Sequence, residues 1–262
     1  MAMRNNTRKQ TYSMGIVCGR RPELLARTLE SFQTNMFSNF KFEHVFANID
    51  PFMGDENKGK ICRDLLRQYF KNIVINEPVK PNFTAANRFI WSHATGDFFF
   101  TLEDDWVCLE SIYPSQIEEA FASDRNVAEV SLMHAHKNWN SNKKNALYPT
   151  FKLKKTFLGI PYYWKTLPLF STSPSFFRSD FVIGLAQRLM NTLDPEKQLK
   201  DPRNPELLKY IERYKSMYFI SSAVNNEIRG GHNVIADIGR EYRDQAGLKK
   251  IIKNGNSIWV QD

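Results

Sequence analysis

Three carboxylates in a row, Glu103, Asp104 and Asp105, end an apolar run in the stretch Asp97 to Val107, DFFFTLEDDWV. Adjacent acids repel one another unless a cation neutralises them, and hard divalent ions take oxygen ligands of this kind, often together with substrate phosphates. The residues before the acids read as a buried strand of a parallel sheet. Ligands of open α/β sheets bind beyond the carboxyl ends of such strands. The triplet therefore implies a metal-assisted phosphate site, and the competing reading is a solvated acidic turn that caps the next helix.

A second group with phosphate chemistry follows the first strand. Gly19-Arg20-Arg21-Pro22-Glu23 reads as a tight turn with two guanidinium groups at a helix start, suited to binding phosphate. No G-x-G-x-x-G follows that strand and no G-x-x-x-x-G-K-[ST] occurs anywhere, which disfavours a dinucleotide dehydrogenase or a P-loop enzyme. His134 and His136 alternate with apolar neighbours, a spacing that suits a metal pair or local hydrogen bonds. Among the aromatics, Trp106 directly after the acids and Trp164 in PYYWK are candidates to line an acceptor cleft, as are Trp139, Tyr148, Tyr162 and Tyr163, with core packing as the alternative.

The elements that must position these residues alternate through the first half. Tyr12–Cys18, Phe42–Ile49, Asn72–Asn76 and the DFFFTL run read as strands. Between them Pro22–Gln33, Lys58–Phe70 and Phe83–His93 read as helices, the first with Pro in its first turn. Such alternation implies βαβ units and a mainly parallel α/β sheet. Beyond the acids, Ile117–Ala122 reads as helix, Val127–Met133 as strand, Asn138–Asn145 as a polar loop, and Asp180–Met190 and Pro205–Tyr214 as helices.

The 262 residues, 42% hydrophobic and 24% charged, can bury a substantial core. No long Gly/Ser/Pro linker divides them, so one domain is expected: a basic tail over 1–10, a first half over 11–110 and a second half over 111–262. No apolar run is long enough to span a bilayer, and MAMRNNTRKQ lacks the apolar core of a signal peptide. Cys18, Cys62 and Cys108 suggest neither a disulfide framework nor a zinc site. A cytoplasmic location is expected, that of the host cell if the protein is viral. The net charge of +8 would attract polyanions, but it is dispersed over several small clusters.

The order of motifs resembles the GT-A fold glycosyltransferases, in particular their family-2-like group. The opening strand running into Gly-Arg-Arg-Pro-Glu-Leu-Leu is similar to that group's start, as is Asn82 to Arg88 leading into Gly96-Asp97-Phe98. TLEDDW stands where the DxD motif belongs, in a Glu-Asp-Asp version. The resemblance implies a GT-A Rossmann-like mainly parallel sheet flanked by helices, with a less regular C-terminal acceptor-side part. It further implies Asp105 as metal ligand, with Glu103 and His232 as further metal candidates. Gly19, Arg20, Arg21, Asp50, Asn87, Asp104 and Arg240 are the implied nucleotide-sugar residues, and the metal is Mn2+ or Mg2+. Ser173 to Arg178 looks like the acceptor-side strand entering a helix, and Leu193-Asp194-Pro195-Glu196 falls where a catalytic acid is placed.

The function implied is transfer of a sugar from a nucleoside diphosphate sugar to an acceptor hydroxyl, with inversion. Glu196 is the first choice of base and Asp194 the second, while Asp-Pro-Glu also has the composition of a helix cap. The acceptor is a glycan or lipid-linked sugar. The alternatives are a phage-type enzyme that glycosylates a hydroxymethylated base in DNA, and a non-catalytic nucleotide- or glycan-binding protein.

Overall fold

The computed structural model describes residues 9–134, 147–158, 160–200, 202–219, 233–253 and 256–261. The polar loop 138–145, Trp139, His136 and His232 lie outside this set.

The first half forms as its sequence pattern dictates. β1 (Tyr12–Cys18) is buried along its whole length, and α1 (Pro22–Phe32) starts with Pro in its first turn, where the missing N–H costs nothing. β2 (Phe42–Ile49) follows, then α2 (Glu56–Tyr69), whose first turn is capped by the Asp55 carboxylate accepting from the Lys58 N–H at 2.9 Å. β3 (Ile73–Asn76) leads to α3 (Phe83–Ser92), capped in the same way by Asn82. β4 (Phe98–Glu103) then delivers the acids, and a tight turn at Asp104 and Asp105 passes to the short β5 (Trp106–Cys108). α1 departs from expectation at its end, continuing as one π-helical turn over Gln33–Phe37.

α4 (Pro114–Ser123) and β6 (Val127–Leu132) match the expected helix and strand. β7 (Thr150–Phe157) and β8 (Ile160–Pro168), a long antiparallel hairpin, were not foreseen in the aromatic, Ser- and Pro-rich stretch. β9 (Ser175–Arg178) does enter a helix, α5 (Ser179–Arg188). Then come α6 (Pro195–Gln198), α7 (Pro205–Ile211), β10 (Lys215–Phe219), β11 (Ile235–Asp237), α8 (Gly239–Gln245) and a terminal hairpin of β12 (Leu248–Lys253) and β13 (Asn256–Gln261).

The central sheet has seven strands in the order β10-β6-β9-β4-β1-β2-β3. β1 pairs in parallel with both β2 and β4, and β9 is antiparallel to β4 and β6. Helices cover both faces, so the central strands are apolar without alternation. One core holds Tyr12, Phe40, Phe98, Phe100 and Phe176 as a stack of edge and offset ring contacts. The other packs α3, α5 and α7 around Trp91, Phe177 and Phe181, and the buried Trp91 Nε1 donates to Thr101 Oγ1 at 2.8 Å. The parallel core means that β1, β2 and β4 all end at the same edge, which collects Gly19, Asp50 and the acids.

At Gly15, in the middle of β1, a Cβ would lie 2.5 Å from Phe99 Cζ and 2.6 Å from Ile90 Cβ. Gly15→Ala is therefore expected to destabilise the fold by about 1–3 kcal/mol through overpacking. Urea unfolding of the two proteins measures it, and an unchanged midpoint would show that α3 yields without cost.

Candidate functional site

The site is organised by what the three acids do. Asp104 turns back beneath α1: its carboxylate accepts from the Gly19 N–H at 3.0 Å and from Arg21 Nε at 3.2 Å, and Arg21 Nη2 donates to its other oxygen. Thr28 Oγ1 donates to the Asp104 carbonyl at 2.8 Å, and the Asp104 N–H donates to the Val17 carbonyl at 3.1 Å. Both ions are buried, Arg21 at 7% and Asp104 at 1% exposure. Burial pushes the Asp104 carboxyl up to about 6, against the pull of Arg21. Burial also works against the Arg21 charge, yet Asp104 and Asp105 outweigh it and hold the guanidinium firmly protonated.

Asp105 takes the opposite direction. Its Oδ2 accepts from Arg21 Nη1 at 3.3 Å and from Arg243 Nη1 at 3.1 Å, while Oδ1 accepts no hydrogen bond among the described residues. α8 reaches it because β11 pairs with β5 and the Ile238 N–H donates to the Asp105 carbonyl at 2.9 Å. Gly239 is needed at that contact, since a Cβ there would fall onto Asp105 Oδ2. Arg243 also lies 3.7 Å from Asp237, which caps α8 by accepting from the Gly239 N–H at 2.9 Å and the Arg240 N–H at 3.1 Å.

The Glu103 side chain makes no hydrogen bond or ion pair among the described residues. Burial raises its carboxyl well above the usual range, and the charges of Asp105, Glu196 and Asp104 raise it further. Glu196 is thus brought within electrostatic reach of the triplet. It stands in the first turn of α6 and lies 3.7 Å from Lys200. Asp194 is the N-cap of that helix, accepting from the Lys197 N–H at 3.1 Å. The capping role anticipated for this pair therefore holds for Asp194 and leaves Glu196 as the carboxylate near the acids.

Asp50 ends β2 beside the site, its N–H donating to the Cys18 carbonyl at 2.8 Å. Its carboxylate accepts from Asn48 Nδ2 at 2.7 Å and the Asn82 N–H at 3.1 Å, and burial raises it. The other anticipated residues make the following contacts. Arg20 pairs with Glu56 at 2.7 Å instead of the acids. Asn87 is buried inside α3, its Nδ2 donating to the Phe83 carbonyl at 2.8 Å. Arg240 is exposed, and the cation that α8 sends to the acids is Arg243. Trp106 is 6% exposed and packs on the His134 ring at 4.8 Å between centroids, so it is a wall residue. Trp164 sits exposed on the β7–β8 hairpin under the Lys165 ammonium. Arg243 was not anticipated from the sequence, where nothing distinguishes it from Arg240; its contact with Asp105 follows from the docking of α8.

No three His, Cys, Asp or Glu side chains among the described residues converge as a complete metal cage. The Glu103 carboxylate and Asp105 Oδ1 accept no hydrogen bond among the described residues, and they are the oxygens that a divalent ion here would have to use. Two carboxylates completed by substrate phosphates are a donor set that hard divalent ions accept.

A mainly parallel sheet with acids at the end of its central strand is the fold of the GT-A glycosyltransferases. The family model "Glycosyl transferase family 2" matches residues 13–184, and the chain belongs to that family. Among solved structures it is similar to the mannosyltransferase PcManGT from Pyrobaculum calidifontis in complex with GDP-Man and Mn2+, with 10% identity and a TM-score of 0.51, covering 84% of this chain and 59% of that one. GalNAc-T7 with UDP, GalNAc and Mn2+ aligns at a TM-score of 0.56 and 12% identity, covering 82% of this chain and 43% of that one. TarS of S. aureus aligns at 0.50 and 11% identity, covering 87% and 36%. The chain therefore spans between about a third and three fifths of these relatives' length. No curated protein matches it by sequence.

Arg21→Met would leave Asp104 buried without its counter-ion, and a loss of about 3–5 kcal/mol is expected. Adding Asp104→Leu should recover part of it, because the stranded charge is then gone. The double-mutant cycle in urea measures the coupling, and strictly additive losses would mean that the pair is not the anchor described.

Proposed function

We propose that the protein transfers a sugar from a nucleoside diphosphate sugar to an acceptor hydroxyl, with a divalent ion and with inversion. The observation that carries this reading is the set of carboxylates where β4 ends. Asp104 and Asp105 are held by two guanidiniums, those of Arg21 and Arg243, while burial and the neighbouring acids favour the protonated form of Glu103 in the ligand-free protein. Glu103 would give up that proton and ionise as a ligand to a divalent ion that came with a diphosphate. Glu103 and Asp105 Oδ1 are the oxygens that would hold the ion. When bound, the metal would neutralise the charge that builds on the leaving diphosphate.

The chain's own groups do the remaining work. Arg21 and Arg243 fix the direction of Asp105 and add positive potential in a site partly shielded from water, where such charges act strongly. Asp50, held by Asn48 and Asn82, is placed to accept hydrogen bonds from the nucleoside. Glu196 accepts the proton of the acceptor hydroxyl as that oxygen attacks the anomeric carbon, and no covalent enzyme intermediate forms. The acceptor in this reading is a glycan or a lipid-linked sugar. The net charge of +8 favours, as a second reading, a hydroxymethylated base in DNA.

Thermal shift against nucleoside diphosphates and nucleotide sugars, with and without manganese, tests the donor site, because a ligand of the native state raises the melting temperature. One nucleotide should stabilise only with manganese, and Asp105→Asn should abolish that shift without lowering the melting temperature of the free protein. Stabilisation that persists in Asp105→Asn would overturn the metal assignment. Glu196→Gln should keep the shift and lose at least about 100-fold in transfer rate, the size of a general-base contribution. If Asp194→Asn shows that phenotype instead, the base is reassigned.

A further inference from the structure

The β7–β8 hairpin carries a surface that the transferase reading does not use. Its root is tied into the fold: Leu153 and Leu167 are buried in the core that holds Phe170, Phe177 and Phe181, and Lys165 pairs with Glu212 just after α7. Beyond the pairing of Leu153 with Lys165 the two strands continue as a ribbon that pairs with no other strand, reaching out about 15 Å at the usual rise per residue.

The ribbon is graded along its length. At its end Phe157, Leu158 and Ile160 are 68%, 85% and 69% exposed. Turn chemistry at such a tip favours Gly, Asn or Asp, yet Leu158 holds φ +50° there, a conformation that disfavours leucine. Next come Tyr162, Tyr163 and Trp164, all exposed. The Lys152 and Lys154 ammoniums lie 5.5 and 5.6 Å from the centre of the Tyr163 ring. Residues 150–168 include four lysines and no acid.

An apolar tip followed by a band in which lysines stand opposite aromatics, Lys154 across from Tyr163 and Lys155 across from Tyr162, matches the passage from the hydrocarbon of a bilayer into its headgroups, where aromatic rings and lysines both sit. A protein partner would account for the tip and leave the lysines unexplained. A nucleic acid would account for the lysines and aromatics and leave the aliphatic tip unexplained. An anionic bilayer accounts for all of them, and contiguous exposed apolar groups call for some partner. We propose that this hairpin docks the chain onto an anionic lipid bilayer, with Phe157, Leu158 and Ile160 below the headgroups, Tyr162, Tyr163 and Trp164 at the interface, and Lys152 and Lys154 on the lipid phosphates. Attachment of this kind lies on the surface and spans nothing, in keeping with the absence, among the described residues, of any helix long and apolar enough to cross a membrane.

Flotation of the full chain with vesicles of phosphatidylcholine, alone or mixed with phosphatidylglycerol, tests it. Binding to the mixed vesicles should be at least about tenfold tighter, since each lysine near an anionic surface adds appreciably, and should weaken with salt. Phe157→Asp with Ile160→Asp should abolish binding while the melting temperature stays unchanged, because both side chains are already in water. Lys152→Gln with Lys154→Gln should lower binding to mixed vesicles about tenfold and leave binding to phosphatidylcholine alone unaltered. The proposal fails if the wild type does not float, if the tip variant floats as well as the wild type, or if the tip variant converts a dimer to a monomer. It also fails if the chain binds a single-stranded oligonucleotide, loses it in Tyr163→Ala, and ignores the vesicles. None of these outcomes depends on sugar transfer, so this inference and the transferase reading stand or fall separately.

Discussion

The pairing of Arg21 with Asp104 is the constraint on which the rest of the site depends. A buried ion pair adds little net stability, because desolvation offsets most of the attraction. Its effect here is directional. Asp104 is drawn back beneath α1 and fixed by Gly19, Arg21 and Thr28, while Asp105 is held by Arg21 and Arg243. The middle acid of the triplet thus serves as an anchor between its two neighbours.

The site is also not self-contained within the first half of the chain. Asp105 is completed by Arg243, 138 residues later, through the short β5–β11 pairing and the bare face of Gly239. Glu196 comes from a third segment and is positioned by its Asp194 cap and by Thr84 of α3, whose hydroxyl donates to the Leu193 carbonyl. Three stretches of chain therefore converge at the ends of parallel strands, which is the one edge of such a sheet where loops from separate units can meet.

The same convergence leaves the ligand-free centre electrostatically unfavourable. Glu103 forms no ion pair among the described residues, and burial with three neighbouring carboxylates pushes its carboxyl up against the weaker pull of Arg21. Repulsion of this kind persists where the surrounding fold is stable enough to enforce it. Here the stacked aromatic core around Phe98, Phe100 and Phe176 holds the strand that carries the acids.

By itself the sequence determined the alternation of strands and helices to β6 apart from the short β5, because those signals are local: apolar runs and Pro in a first turn. It also determined the acidic triplet and the arginine turn, whose chemistry is evident from residue type alone. Only the tertiary structure decided that Arg21 and not Arg20 meets the acids, and that Arg243 and not Arg240 does so from α8. These choices turn on which helix face meets a distant loop, and no local pattern encodes that. The β7–β8 hairpin escaped for a related reason: beyond its root at Leu153 and Leu167 the ribbon is largely exposed and has no buried side to impose a hydrophobic period.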